Sequence, residues 1–221
     1  MRLAIVAATG GIGRHLLQQA IEAGHDVTAL VRSPEKITDP VRTVGADLAH
    51  PDVPALAEAI KGADAILSAL GARTKAESGV AWRGTAALVE AAWETRTRRL
   101  IVVSAAPMGT FASPGRPHPP RHDPGDGFFM RHLGAPFAKT MFRTHYEDLA
   151  RMEDVVRDSG LDWTVSRPPK LTDGPLTRRY RTAIDRNVRG GFSVSRADVA
   201  DQMLACVTRA ETIGHTVGIA Q

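Results

Sequence analysis

A single cysteine, Cys206, in 221 residues leaves no internal disulfide to form and no cysteine-rich zinc site to build. Its place in a helical pattern near the C-terminus predicts a small, packed hydrophobe. Aromatic residues make up only 5% of the chain, and none alternates with basic residues along a helix. A nucleic-acid partner is therefore not expected despite a net charge of +4. The arginines are scattered, and the densest run, Thr95-Arg96-Thr97-Arg98-Arg99, reads as a solvated loop ahead of an apolar strand. No uninterrupted apolar run reaches eighteen residues, so no membrane span is expected. No charged-then-apolar leader precedes the first apolar run, and a cytoplasmic location is the expectation. Solenoid-type repeats are also missing. The length suits one substantial core, read as a single domain over 1–221.

What is present begins at the first residue. Leu3 to Val6 is a short apolar run suited to a parallel strand covered on both faces. Ala8-Thr9-Gly10-Gly11-Ile12-Gly13 follows at once, then Leu16, Leu17, Ala20 and Ile21 recur at helical spacing, and Val27 to Val31 forms a second apolar run. A strand, a glycine-rich turn and a helix in this order let backbone N–H groups approach a pyrophosphate at the positive end of the helix. Ala7 stands where such turns often begin with glycine, and its methyl is tolerable if the residue keeps a negative φ.

The alternation of strand and helix continues. Strands are expected at Val41–Ala46, Ala63–Leu67, Leu100–Val103 and Trp163–Ser166, and helices at Pro51–Lys61, Val80–Ala92 and Thr144–Val156. The pattern predicts an α/β fold: a Rossmann-like, doubly wound parallel sheet with a small C-terminal substrate-side extension over about 167–221. Ligands in such sheets lie beyond the carboxyl ends of the strands. Arg32 and Ser33 end the second strand where a carboxylate would favour NAD, whereas Asp26 lies at the wrong end. Arg32 can grip a 2′-phosphate, so NADPH is preferred over NADH, although a solvated arginine is the alternative. Asp47 and Leu48 are placed for adenine, or Asp47 simply caps a turn. Leu70 and Gly71 fit the adenosine ribose, or end a strand. Ser104 lands near the nicotinamide, or forms a turn, and is the one candidate for a catalytic role.

Residues 105–127 carry six prolines, which exclude regular helix or sheet. A mobile lid is expected there. His118, His122, Asp123 and Asp126 lie within it, but no regular element holds them at ligand geometry, and no metal is expected. Phe128 to Arg143 reads as a helix or broken helix. Tyr146, Leu149, Met152 and Val156 then share one helical face. Tyr146 is followed four residues later by Ala150, and Tyr180 by Ile184, so the Tyr-x-x-x-Lys proton-transfer pair is missing. Thr177 to Val194 reads as a hairpin with arms Tyr180–Ile184 and Gly191–Val194. Ser195 caps a helix in a variant capping box with Asp198, whose stripe is Val199, Met203, Leu204 and Val207. Thr216–Ile219 makes a last strand. In Arg167-Pro168-Pro169-Lys170 the prolines fix the chain as it leaves the sixth strand. Lys170 faces substrate or solvent, and Arg167 a ligand or a buried ion pair.

The N-terminal turn resembles the G-A-T-G-x-x-G turn of atypical short-chain dehydrogenase/reductases. Ser159-Gly160-Leu161-Asp162-Trp163-Thr164-Val165-Ser166-Arg167-Pro168-Pro169-Lys170-Leu171-Thr172-Asp173-Gly174-Pro175 resembles their S-G-L-x-(W/Y)-T-x-x-R-P-P-x-L-x-D-x-P segment. With Ser195-Arg196-Ala197-Asp198-Val199-Ala200 the likeness covers nearly the full chain. It is to the NAD(P)H-binding group that includes biliverdin-IXβ reductase/flavin reductase and NmrA-like proteins. The resemblance implies an NADP(H) site, with Pro168, Pro169 and Lys170 on the nicotinamide side, and hydride transfer to a flavin, quinone or similar planar small molecule without a catalytic tyrosine. The alternative it admits is an NADP(H)-sensing, NmrA-like regulator with little or no turnover. A nucleotide-sugar epimerase ranks last, for want of the Tyr-Lys pair. Relatives often carry lysine or histidine where this chain has Leu149. A monomer or homodimer is expected.

Overall fold

The computed structural model describes residues 1–126 and 141–221. Strand β1 (Arg2–Val6) is inaccessible from Leu3 onward, as an apolar run between two covered faces requires. It pairs in parallel with β2 (Asp26–Val31) on one side and β4 (Ala65–Ser68) on the other. β3 (Arg42–Gly45) extends the sheet beyond β2. Beyond β4 follow β5 (Arg99–Val103), β6 (Asp162–Arg167), β10 (His215–Ala220) and β8 (Arg181–Ile184), giving the order β3-β2-β1-β4-β5-β6-β10-β8. All neighbours are parallel except the edge strand β8, antiparallel to β10. Strand order reverses between β1 and β4, which leaves a crevice at their carboxyl ends.

Helices α1 (Gly11–Glu22) and α5 (Arg196–Cys206) cover one face around Leu3, Ile5, Leu16 and Met203. Helices α2 (Val53–Ile60), α3 (Val80–Thr95) and α4 (Arg143–Asp158) cover the other around Leu30, Ile66, Leu88 and Met152. Asp52 caps α2 by accepting from Ala55 N at 3.1 Å. The predicted stripe of α4, Tyr146, Leu149, Met152 and Val156, is buried. The helix expected over 128–143 lies almost wholly outside the described residues. Cys206 is buried at the end of α5, where its sulfur accepts from Gln202 Nε2 at 3.0 Å. Val199 and Met203 are buried beside it, with Leu204 and Val207 partly so. No helix among the described residues is long and apolar enough to cross a membrane.

The hairpin expected over Thr177–Val194 is not formed. Arg181–Ile184 pairs with the C-terminal strand, Val217 opposite Ile184 and Ala220 opposite Arg181. Ser193–Ser195 (β9) pairs instead, in parallel, with Lys170–Thr172 (β7). The reason is steric and polar. Asp185, at φ +55°, turns the chain, and its carboxylate accepts from Thr216 N at 3.0 Å and bonds His215 Nδ1 at 2.6 Å, fastening β8 to β10. The next residues then cross β10 so closely that a Cβ on Gly218 would lie 2.3 Å from Arg186 O. The capping box is also half correct. Ser195 Oγ accepts from Asp198 N at 3.0 Å, but the Asp198 carboxylate accepts from Thr177 and Arg178 instead of reaching back.

Candidate functional site

Four residues connect β1 to α1. Ala7 makes the turn at φ +59°, donating from N to Leu30 O at 2.9 Å while its carbonyl accepts from Gly10 N at 2.8 Å. The expected negative φ at Ala7 is thus corrected: closing the turn rotates its carbonyl inward, at a strain on the order of 1 kcal/mol for a residue with a Cβ. That carbonyl dictates Gly13, where a Cβ would lie 2.1 Å from it. Ala8 and Ile12 point into the core, so the turn offers its backbone outward. Gly10 is the N-cap of α1, which has no side-chain cap and no acidic residue in its first turn. Its N–H groups and positive end are open to an anion. Helix α3 differs. Its N-terminus is filled by the buried Asp148 of α4, which accepts from Gly79, Ala81 and Trp82 N at 2.9, 3.2 and 2.9 Å.

An open cleft lies beside this turn. It gathers Thr9, Arg32, Ser33, Asp47, Leu48, Leu70 and Gly71 from the ends of β1 to β4. Leu48 and Leu70 form an apolar wall against α3, close enough to Gly84 that a Cβ there would meet Leu70 Cδ2 at 2.6 Å. Asp47 stands at the rim and also fixes its own turn, accepting from Ala49 N and bonding His50 Nδ1, both at 3.1 Å. The His50 contact, followed by the Ala49 amide, holds its pKa below the usual carboxylate range. Asp26 is at the opposite end of β2. Ser33 opens a 3₁₀ turn at Pro34–Lys36 without capping it.

The residues assigned to the nicotinamide side are less gathered. Ser104 follows β5, but its hydroxyl is buried near Glu153, completes no hydrogen bond of ordinary geometry and lies outside the cleft that holds Arg32 and Asp47. Pro168 O accepts from Ala106 N at 2.9 Å, and Lys170 is exposed at the start of β7. Pro169 lines a second, shallow hollow with Asp126, Asn187 and Phe192. Arg167 also reaches its wall, yet its guanidinium is committed to Glu153 of α4 through Nε–Oε1 at 2.9 Å and Nη2–Oε2 at 2.5 Å. The buried ion pair is the reading the structure bears out. Tyr146 is packed against Phe111, Phe142 and His145, and burial raises its pKa.

The described part of the proline-rich segment holds a 3₁₀ turn at Ala106–Thr110 and one bridge between Ser113 and Arg116. Asp154 fastens it to α4, accepting from Ser113 Oγ at 2.8 Å and Gly115 N at 2.9 Å. Asp123 accepts from Gly125 N and Asn187 N, both at 2.8 Å. Among the described residues, no three His, Cys, Asp or Glu are grouped to hold a metal.

Sequence reasoning missed four charged residues. Lys36, Arg73 and Glu77 line the same cleft as Arg32, and Glu77 Oε1 accepts from Arg32 Nη1 at 2.8 Å. Arg196, read only as part of a capping segment, lies over the glycine-rich turn, where a Cβ on Gly11 would come within 2.9 Å of its Cδ and Nε, and Asp173 holds it at 2.6 Å. Such pairings between distant loops have no periodic signal.

A family model described as NAD(P)H-binding matches residues 7–210. The Bacillus subtilis protein YwnB, itself uncharacterised, is 28% identical over 92% of this chain and 91% of its own. The oxidoreductase YlbE of Lactococcus lactis shares the fold at a TM-score of 0.78 and 21% identity, covering 100% of this chain and 91% of its own. A candidate NADH-flavin reductase of Streptococcus pneumoniae does so at 0.77 and 23%, covering 100% and 99%.

Proposed function

The chain belongs to the NAD(P)H-binding family, and from that premise we propose that it is an NADPH-dependent oxidoreductase passing hydride to a flavin, quinone or similar planar acceptor. The observation that carries this reading is the uncapped start of α1 beside a cleft that Ala7 and Thr9, in the turn before that helix, line together with Arg32 and Ser33. The donor set fits a dinucleotide: free backbone N–H groups for a pyrophosphate, a guanidinium and a hydroxyl for a 2′-phosphate, and an apolar wall for adenine. Bound there, the cofactor supplies the hydride. Thr9 to Gly13 hold the pyrophosphate, Arg32 and Ser33 the 2′-phosphate, Asp47 and Leu48 the adenine, and Leu70 and Gly71 the ribose. Pro168 to Lys170 shape the acceptor side, with the loop at 105–127 as its cover. Catalysis comes from placing donor and acceptor in contact and excluding water. Tyr146, buried and without a lysine four residues on, relays no proton, and solvent supplies it. The likeness to a candidate flavin reductase supports the acceptor class by analogy. Neither nucleic acid nor membrane enters as a partner, and the enzyme works in the cytoplasm as a monomer or homodimer.

The test follows NADPH absorbance with purified protein and FMN, FAD or a quinone panel, beside NADH controls. Protein-dependent oxidation that falls at least tenfold in kcat/KM for NADPH, but little for NADH, in Arg32→Ala supports the assignment. Cofactor binding without consumption by any acceptor favours the second reading, an NADP(H)-sensing regulator, to which the lack of a tyrosine relay also points. Failure to bind either cofactor refutes the assignment of Thr9 to Gly13.

A further inference from the structure

No motif or periodicity in the sequence singles out Glu77. It ends the 3₁₀ turn Lys75–Glu77 between β4 and α3, and the reversal of strand order carries that turn across the cleft from the end of β2. Oε1 accepts from Arg32 Nη1 and Oε2 from Arg73 N, each at 2.8 Å. The Glu77 side chain is 23% exposed and that of Arg32 57%. Tied to the backbone of its own loop, the carboxylate is the fixed member of the pair, and the arginine the one free to turn.

We infer that Glu77 is a cofactor-selectivity residue: its carboxylate occupies the Arg32 guanidinium that the ribose 2′-phosphate of NADP(H) needs, and so restrains the preference for NADPH over NADH. The inference deepens the proposed function and rests on the cleft being the adenosine end of the cofactor site. Glu77 takes one edge of the guanidinium, through Nη1, so a phosphate dianion either displaces the carboxylate or binds the remaining N–H groups, and in both cases lies beside a second negative charge. NAD(H) brings only hydroxyls, which donate to a carboxylate and leave the ion pair in place. Glu77 also orients Arg32, an opposing effect. Solvent around the arginine screens the orienting and the competing effect of this pair alike, so the sign is decided by the phosphate itself, whose charge the neighbouring carboxylate repels and which NAD(H) lacks.

Calorimetric titration of the wild type, Glu77→Gln and Arg32→Ala with NADP⁺ and NAD⁺ at one ionic strength tests this without turnover. Glutamine keeps an acceptor for the Arg73 amide, and thermal melts confirm that the variant folds. Glu77→Gln should tighten NADP⁺ binding by about tenfold and change NAD⁺ binding by less than about threefold. Arg32→Ala should weaken NADP⁺ selectively. An unchanged or lower NADP⁺/NAD⁺ affinity ratio in Glu77→Gln, while Arg32→Ala lowers it, overturns the role of Glu77 and leaves the proposed site intact. A ratio indifferent to Arg32→Ala, or no binding of either nucleotide, overturns both.

Discussion

Replacing Glu153 by glutamine removes one charge from the most deeply buried ion pair on the α4 face. Glu153 is 1% exposed and Arg167 5%, joined by two hydrogen bonds, and Arg157 reaches the same carboxylate at 2.5 Å. Burial by itself pushes the pKa of Glu153 up, but the adjacent Arg167 and Arg157 outweigh it and hold the group below its ordinary range. Glutamine preserves the shape and strands the Arg167 charge. The expected loss is about 3–5 kcal/mol at neutral pH, which in a chain of this size lowers Tm by roughly 10 °C. Replacing both partners, Glu153→Leu with Arg167→Met, should recover most of that loss, because neither charge remains to be desolvated. The pH dependence has a definite sign. The folded pKa of Glu153 lies below its unfolded value of about 4.3, so its contribution is complete above that pH and is lost as pH falls through the folded pKa. The gap between wild type and Glu153→Gln should therefore close in acid. Urea denaturation across this range measures it. A single variant within about 1 kcal/mol of wild type at neutral pH, or a double variant no more stable than the single one, refutes the reasoning.

Three further outcomes follow from local geometry. Gly13→Ala places a methyl 2.1 Å from Ala7 O, so the turn must open; nucleotide affinity should fall at least tenfold with a clear drop in Tm, and an unaltered titration and melt would contradict it. Asp148→Ala leaves the Gly79, Ala81 and Trp82 amides without their acceptor and should cost about 1–3 kcal/mol by thermal melt, with Asp148→Asn recovering part; an unshifted melt would show that the cap is idle. Burial raises the pKa of the Cys206 thiol, so a disulfide reagent should label it only as the protein unfolds, and prompt labelling under native conditions would show the site open.

The site divides along the same lines as the fold. Thr9, Arg32, Ser33, Asp47, Leu48, Leu70 and Gly71 were legible because each follows an apolar run, and a parallel sheet sends all such ends to one edge. Ser104 follows the same rule, yet its hydroxyl turns inward beside Glu153, since a strand end fixes a residue's position and not the direction of its side chain. Glu77 was illegible because its meaning lies in Arg32, forty-five positions earlier in the chain and joined to it only by strand order.

The sequence by itself determined the strand-turn-helix at the N-terminus and the alternation that makes the sheet parallel. These follow from periodicity and backbone sterics acting over a few residues. Only the tertiary structure decided that Arg181–Ile184 pairs with the last strand and not with its neighbour, that Ala7 takes a positive φ, and that the cleft's arginine meets a carboxylate. The strand pairing and the ion pair join segments far apart in the chain, and Ala7 is held from the neighbouring strand through Leu30 O, so no local pattern encodes them.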